Sequence, residues 1–372
     1  MNLNFRYFVP TKICSGRNCV EENASLLSAL GTRALIVTGR HSAKACGALG
    51  DVLDALESCG RAGTLFDDID PNPSVASVYE GARRAREFGA DFVVAVGGGS
   101  PMDAAKAIAL LARQEIPEEK LFSGGFSSDV LPMAHVPTTA GTGSEVTQYA
   151  VLTNDREQTK KSISGDMLFP NLALLDGKYL KTLSRASAVN TAVDAVSHAA
   201  EGMLSVRAGA LSDLLARESL TLLGARLDRV AEGNCSEEDF DTLLYASCLA
   251  GMVIANTGTT AVHAMGYPLT YFEGIDHGRA NGLLLGEFLK WAEKGDSRLT
   301  KKILHPLGFS RADEFAEKLR ELLGGRERLS ESKICAFSSK SAQNKNVQNC
   351  KLVASEREIA KIYRKSFDFD AE

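Results

Sequence analysis

The run DFVVAVGGGSPMDAAKAIA, from Asp91 to Ala109, constrains this chain more than any other stretch. The apolar, β-branched segment FVVAV passes without a break into three glycines, and alanine-rich helical sequence follows at once. An uninterrupted apolar run of that length reads as a strand buried on both faces. A strand, a glycine turn and a helix in immediate succession belong to parallel sheets, whose strands need crossover helices.

The pattern recurs on either side. RALIVTG, from Arg33 to Gly39, is a second buried strand of the same kind. In SAKACGALGDVLDALESCG, residues Leu49, Val52, Leu53 and Leu56 fall on one helical face. AGTLFDDID reads as a strand, and PNPSVASVYEGARRAREFG opens with turn chemistry at Pro73 and Ser74 before turning helical. MAHVPTTAGTGSE is a strand followed by a loop of small and hydroxyl residues. This alternation predicts a Rossmann-like parallel sheet with helices on both faces. Past about Thr182 the pattern changes to long helical periods, as in SRASAVNTAVDAVSHAAEGMLS and EEDFDTLLYASCLAGMVIANTG. At 372 residues the chain is too long for one ordinary core. The expected organisation is an α/β domain over residues 1–182 and an all-helical domain over 183–372.

Composition narrows the partners. A net charge of −5 without any basic block disfavours a nucleic-acid surface or a polybasic membrane anchor and leaves a small molecule as the expected partner. The start, MNLNFRYFVPTKICSG, does not read as a signal peptide, and apolar stretches such as YASCLAGMVIAN are too short to span a bilayer. Eight cysteines lie scattered without a CxxC pair, which favours reduced thiols in a cytoplasm. A Cys14–Cys19 disulfide is the alternative.

Two patterns carry chemistry. GGGSPMD, from Gly97 to Asp103, puts glycines at a strand end and free N–H groups at a helix start, which together attract phosphate. Alone it is a moderate signal, and the alternative is a tight strand–helix turn. PTTAGTGSE, from Pro137 to Glu145, is a second such loop at another strand end, and the pair suggests a dinucleotide. In the helical half, Asp194 and His198 share a helix face at i, i+4. Taken alone, such a pair is more often an ion pair or cap than a metal site. His263 in AVHAMGY and His277 in the glycine-flanked DHGRAN strengthen the case, since one Asp and three His make a four-coordinate shell for a divalent ion.

GGGSPMDAAKAIA, PTTAGTGSEVT, DAVSHAAEG and HAMGYPL…DHGRAN together resemble the iron-containing (group III) alcohol dehydrogenases, over nearly the whole chain. The resemblance implies a nucleotide-binding α/β domain followed by an all-helical metal domain, as in dehydroquinate synthase. It implies a metal held by Asp194, His198, His263 and His277, and a dinucleotide held by Asn72, Gly98, Gly99, Ser100, Asp103, Thr138, Thr139, Thr147 and Lys160. The implied metal is Fe²⁺, with Zn²⁺ as the ion such sites also favour. The implied activity is hydride transfer between NAD(P)(H) and a short alcohol or aldehyde, with the metal as Lewis acid. A homodimer is the expected assembly. Alternatives on the same scaffold are a polyol or diol dehydrogenase and a non-catalytic nucleotide-binding protein. A dehydroquinate-synthase-like lyase ranks lower, because Arg279 is the one obvious cation near the ligands.

Two departures from the family pattern matter. Many NAD-using members carry an Asp at the end of the first strand, where this chain has Gly39. Glycine leaves space for a 2′-phosphate, and Arg40, Ser42 and Lys44 offer charge and donors, so NADP(H) is the expected preference, with NAD(H) as the other cofactor that fits. Tyr267 replaces a second histidine four residues after the third ligand. An unperturbed phenol titrates near pH ~10, so Tyr267 is expected to orient or line the pocket rather than to relay protons. Tyr149, Leu152, Met252, Ile254, Tyr267 and Phe272 are candidate pocket walls. Ser144, in GTGSE, takes no covalent role.

Overall fold

A computed structural model describes residues 3–369. The chain divides into two compact units. One comprises residues 9–183 with 236–248, the other residues up to Phe8 with 184–235 and 249 onward.

The first unit is built on a six-stranded, all-parallel sheet. Its strands are β1 (Lys12–Ser15), β2 (Arg33–Thr38), β3 (Ala62–Phe66), β4 (Phe92–Gly97), β5 (Met133–Pro137) and, after an antiparallel hairpin of β6 (Tyr149–Asn154) with β7 (Thr159–Ser164), β8 (Leu172–Leu175). Their order is β1-β8-β5-β4-β2-β3. Helices α1 (Ala48–Ser58), α2 (Val75–Phe88) and α3 (Gly99–Arg113) make the crossovers.

Alternation along each strand assigns the two faces. Leu35, Val37, Val93, Ala95 and Met133 pack with Val78 and Ala82 of α2 and Ile108 of α3. Ala34, Ile36, Phe92, Val94, Val96 and Ala134 pack with Val52 and Leu56 of α1. Both faces are covered, which is why these strands read as continuous apolar runs rather than as alternating ones.

Strand β1, at one edge of the sheet, and its neighbour β8 were not anticipated. Each is only four residues long, too short for a periodicity to stand out from the surrounding sequence. The chain leaves β2 toward β3, then returns to β2's other side with β4, pairing Thr38 with Val96. This is a reversal of winding direction, and in open α/β sheets ligands bind at the carboxyl ends of the strands flanking it. Gly39 and Gly97–Gly99 lie at those ends.

The second unit is helical. Its principal helices are α4 (Arg185–Leu204), α5 (Ala210–Gly224), the later part of α6 (Glu237–Thr257), α7 (Ala261–Phe272), α8 (His277–Gly295), α9 (Ala312–Leu323), α10 (Glu331–Ala342) and α11 (Glu356–Ser366). Ser184 caps α4 by accepting from Ser187 N, and Ser355 caps α11 in a capping box with Glu358. Helix α6 is longer than the apolar stretch YASCLAGMVIAN suggested: at 21 residues it has the length and apolar character to cross a membrane, and 67% of its apolar window is buried within the protein.

All eight cysteines are free thiols, so the Cys14–Cys19 pairing does not form. Cys19 instead donates to the Cys14 carbonyl at 3.2 Å.

Candidate metal centre and nucleotide loops

Three helices bring four polar side chains to one place. Asp194 and His198 stand one turn apart on α4, both buried. His263 is the third residue of α7, also buried. His277 begins α8, positioned by Asp276, whose carboxylate caps the helix through Gly278 N at 3.1 Å and Arg279 N at 3.3 Å. Close approach of the helices depends on glycine. A Cβ on Gly278 would lie 2.0 Å from the Asn190 carbonyl oxygen of α4, and one on Gly282 would lie 2.5 Å from Val193 Cγ1. No side chain fits there, so the small residues of HGRANG let α8 press on α4 where Asp194 sits.

Asp194 Oδ1 is the focus of the cluster. The Nε2 atoms of His263, His277 and His198 lie 3.8, 3.9 and 4.0 Å from it. The Nε2 atoms of His263 and His198 are 3.0 Å apart. The ligand atoms offered by Asp194, His263 and His277 all fall within 4.8 Å of one another. Bonds of about 2.1 Å in a tetrahedral shell put ligand atoms about 3.4 Å apart, so the observed spacings bracket that of a cation site.

The charge balance agrees. Two buried carboxylates, Asp194 and Glu201, face imidazoles that are neutral when they bind metal, and buried negative charge of this kind demands a cation. In the metal-free chain burial pushes the Asp194 carboxyl up, and the charges of His198, His277 and His263 in their protonated forms outweigh it and hold the group down to about 2, the place a bound cation would take once the rings are neutral. Burial acts on Glu201 in the same way, and His263 with the Thr260 donors keeps it below the ordinary carboxyl value. The donor set and its spacing therefore fit a divalent metal.

Two neighbours of this cluster escaped the sequence reading. Asn281, fully buried on α8, donates to Asp194 Oδ1 at 2.9 Å. Glu201 lies three residues after His198 on α4 and accepts from the His263 ring at Nδ1. A carboxylate inside the otherwise apolar HAAEGM was the available signal for Glu201. Tyr267 stacks on His277, with ring centroids 6.1 Å apart and planes 12° apart, and meets His263 edge-on at 6.4 Å.

Other expectations change. Leu152 belongs to the closed core of the first unit and cannot line a pocket. Phe272 is exposed and stacks on Phe337 at 5.5 Å. Arg279 is engaged by Glu327 at 2.8 Å and by the Leu323 carbonyl, which removes the one cation that a phosphorylated, carboxylated substrate would have used.

In the first unit the two glycine–hydroxyl loops touch. A Cβ on Gly98 would meet Thr139 Oγ1 at 3.1 Å, and one on Gly99 would meet Thr142 Cγ2 at 2.6 Å. Asn72 is held beside them. Its N–H donates to Ser100 Oγ at 3.1 Å, its side-chain oxygen accepts from Lys160 Nζ at 2.8 Å, and its backbone is left-handed, a conformation asparagine tolerates. Thr138, Thr139 and the start of α3 thus share one rim with Asn72 and Lys160.

Beneath the rim lies a network the sequence did not disclose. Lys106 of α3, fully buried, donates to Ser144 Oγ at 2.7 Å, Thr147 Oγ1 at 3.1 Å and the Tyr149 carbonyl at 2.7 Å. Asp103 accepts from Ser144 Oγ at 2.6 Å and Val151 N at 3.0 Å. Asp103, Ser144 and Thr147 therefore brace the second loop from below. Burial pulls the Lys106 ammonium down to about 8 and pushes the nearby Glu145 carboxyl up to about 7.

Gly39 follows β2, and a Cβ there would press on the Ile69 backbone carbonyl at 3.3 Å with no other atom within 4 Å. Ser42 opens a four-residue helical turn that follows it. The two cations expected to greet a phosphate are already paired. Arg40 binds Asp68 at 2.6 Å and approaches Asp70 at 3.7 Å, and Lys44 binds Asp67 at 2.7 Å.

Comparison with known proteins places both halves. The family model described as iron-containing alcohol dehydrogenase matches residues 10–177, and that for the C-terminal part of the Fe-containing alcohol dehydrogenase family matches residues 188–367. The chain is 30% identical over 296 residues to an NADPH-dependent butanol dehydrogenase of Clostridium saccharobutylicum, covering 78% of this chain and 74% of that one. Among solved structures, an iron-containing alcohol dehydrogenase of Thermotoga maritima superposes with a TM-score of 0.91 at 36% identity, covering 98% and 99% of the two chains. The sulfoacetaldehyde reductase of Bifidobacterium kashiwanohense, solved in complex with NAD⁺, superposes with a TM-score of 0.88 at 29% identity over 98% of each chain.

Proposed function

Because this chain belongs to the iron-containing alcohol dehydrogenase family and is thus an oxidoreductase, we propose that it interconverts a short alcohol and its aldehyde, with Asp194, His198, His263 and His277 holding the metal. The observation that carries the site is the convergence of three imidazole Nε2 atoms on Asp194 Oδ1. When bound, the metal supplies Lewis-acid polarisation of a substrate oxygen and the nicotinamide supplies or takes the hydride.

The chain's own residues hold and shape. Asn281 fixes the Asp194 carboxylate by donating to Oδ1. Tyr267, laid against His277 and His263, gives the pocket an apolar ring with a hydroxyl at its edge. Gly98, Gly99 and Ser100 bring a helix N-terminus to the pyrophosphate. Thr138 and Thr139 add hydroxyls, Thr147 supports their loop from below through Lys106, and Asn72 and Lys160 close the rim. Asp103 acts one step back, through Ser144.

NADP(H) is the preferred cofactor in this reading, with NAD(H) accepted. Gly39 leaves open the place of the carboxylate that would repel a 2′-phosphate. The ion pairs of Arg40 and Lys44 are exposed, so each holds its partner weakly, and a phosphate of charge near −2 competes for both cations. The relatives fall on both sides: one is named NADPH-dependent and another was solved with NAD⁺. Cytoplasmic residence, supported by eight free thiols, and a homodimeric assembly complete the proposal.

The test is His263→Ala. Metal content by elemental analysis and NADPH oxidation with a panel of short aldehydes are measured on wild type and variant, both prepared anaerobically. The proposal expects the variant to fold, to lose metal and to lose turnover. Full activity and full metal content in the variant would remove the assignment.

A further inference from the structure

We propose that Glu201 is a positioning residue that fixes the tautomer of His263, so that the ring presents a lone pair at Nε2 to the metal; this rests on the reading of the cluster as a metal site.

The side chain is fully buried. Its Oε1 accepts from Thr260 N at 2.8 Å, Thr260 Oγ1 at 2.7 Å, Val262 N at 3.0 Å and His263 N at 3.3 Å. Its Oε2 meets His263 Nδ1. The first N–H groups of a helix lack partners within it. Thr260, the residue before α7, makes no side-chain cap. Glu201 therefore caps α7 from a different helix with one oxygen and holds the third residue of α7 by its ring with the other.

A carboxylate only accepts hydrogen bonds, so the ring proton must sit on Nδ1. In the neutral ring, the form that binds a metal, Nε2 is then left with its lone pair aimed at His198 Nε2, 3.0 Å away, and Asp194 Oδ1, 3.8 Å away. A carboxylate behind a ligating histidine also raises the ring's basicity.

Glu201→Gln separates this role from capping. Oε1 faces three N–H donors and one hydroxyl, so the amide oxygen must take that side. The amide NH₂ is then forced onto His263 Nδ1, which turns acceptor, and the ring proton moves to Nε2, where the metal would bind. The cap survives and the tautomer reverses.

Two measurements test this on the full chain. Long-range ¹H–¹⁵N spectra of metal-free, histidine-labelled protein, recorded at a pH where the spectra show the ring neutral and with His263 assigned by its absence in His263→Ala, should show Nδ1–H in wild type and Nε2–H in Glu201→Gln. Cobalt(II) titration should then show metal bound about 10–100-fold more weakly by Glu201→Gln, with the metal-free unfolding midpoint close to wild type. An Nε2–H tautomer in wild type overturns the proposal even if the variant fails to fold. So does cobalt affinity in Glu201→Gln within twofold of wild type. If wild type and His263→Ala bind cobalt equally, the metal site itself fails, while the tautomer in metal-free protein still reports on Glu201.

Discussion

Glu145 lies fully buried beside Lys106, under the loops that form the proposed nucleotide rim, and its Oε1 has no hydrogen-bond partner. Burial pushes its carboxyl from the ordinary 4.5 up to about 7, and a hydrogen bond from its own backbone N–H, with the Lys106 charge, recovers only part of that. The consequence for stability has a definite sign. Between about pH 4.5 and 7 the folded chain keeps a proton that the unfolded chain has released, so stability falls as pH rises through that window. Above pH 7 both states are ionised and the full penalty, about 3 kcal/mol, is present. Glu145→Gln mimics the protonated form at every pH. It should match wild type near pH 4.5 and gain on it steadily toward pH 8. Urea unfolding at pH 5 and pH 8, on metal-free and nucleotide-free protein, reads the difference. The advantage of the variant should grow by about 2 kcal/mol between the two pH values, at unchanged denaturant slope. An advantage that differs by less than about 0.5 kcal/mol between them would show that Glu145 does not change its ionisation in this range.

Two other perturbations are as direct. Gly278→Ala places a Cβ 2.0 Å from the Asn190 carbonyl and 3.1 Å from Asp194 Cβ, so α8 must move off α4. The expected loss is about 1–3 kcal/mol together with weaker zinc binding, and an unchanged thermal midpoint would contradict the close approach. Gly39→Asp needs the Ile69 carbonyl, 3.3 Å from the new Cβ, to give by a few tenths of an ångström, and its carboxylate at about 5 Å from a 2′-phosphate of charge near −2 costs about 1–2 kcal/mol in wet surroundings. The ratio of kcat/KM for NADPH over NADH should fall roughly tenfold, and an unmoved ratio would remove Gly39 as the discriminator.

The legibility of this chain differs between its halves. Strands β2, β4 and β5 could be read because burial on both faces makes a strand uniformly apolar, and glycine marks the strand ends that the proposed nucleotide rim uses. Strands β1 and β8 were invisible because four residues carry too little pattern. In the helical unit, the spacing of Asp194 and His198 stated that two side chains share a face. It said nothing of α7 and α8, whose histidines lie 65 and 79 residues further along.

What the sequence determined by itself was local: which segments are strands or helices, which loops are rich in glycine and hydroxyls, and which side chains can bind a cation. Those properties follow from the chemistry of near neighbours in the chain. What only the tertiary structure decided is who faces whom. Lys106 reads as one more solvated helix lysine until α3 buries it against Ser144 and Thr147. Arg40 and Lys44 look like free charges until β3's acidic end brings Asp68 and Asp67 to them. Glu201 becomes the partner of His263 because α4 passes the first turn of α7. The free energy of a buried charge depends on the groups within a few ångströms of it, and here those groups come from remote parts of the chain.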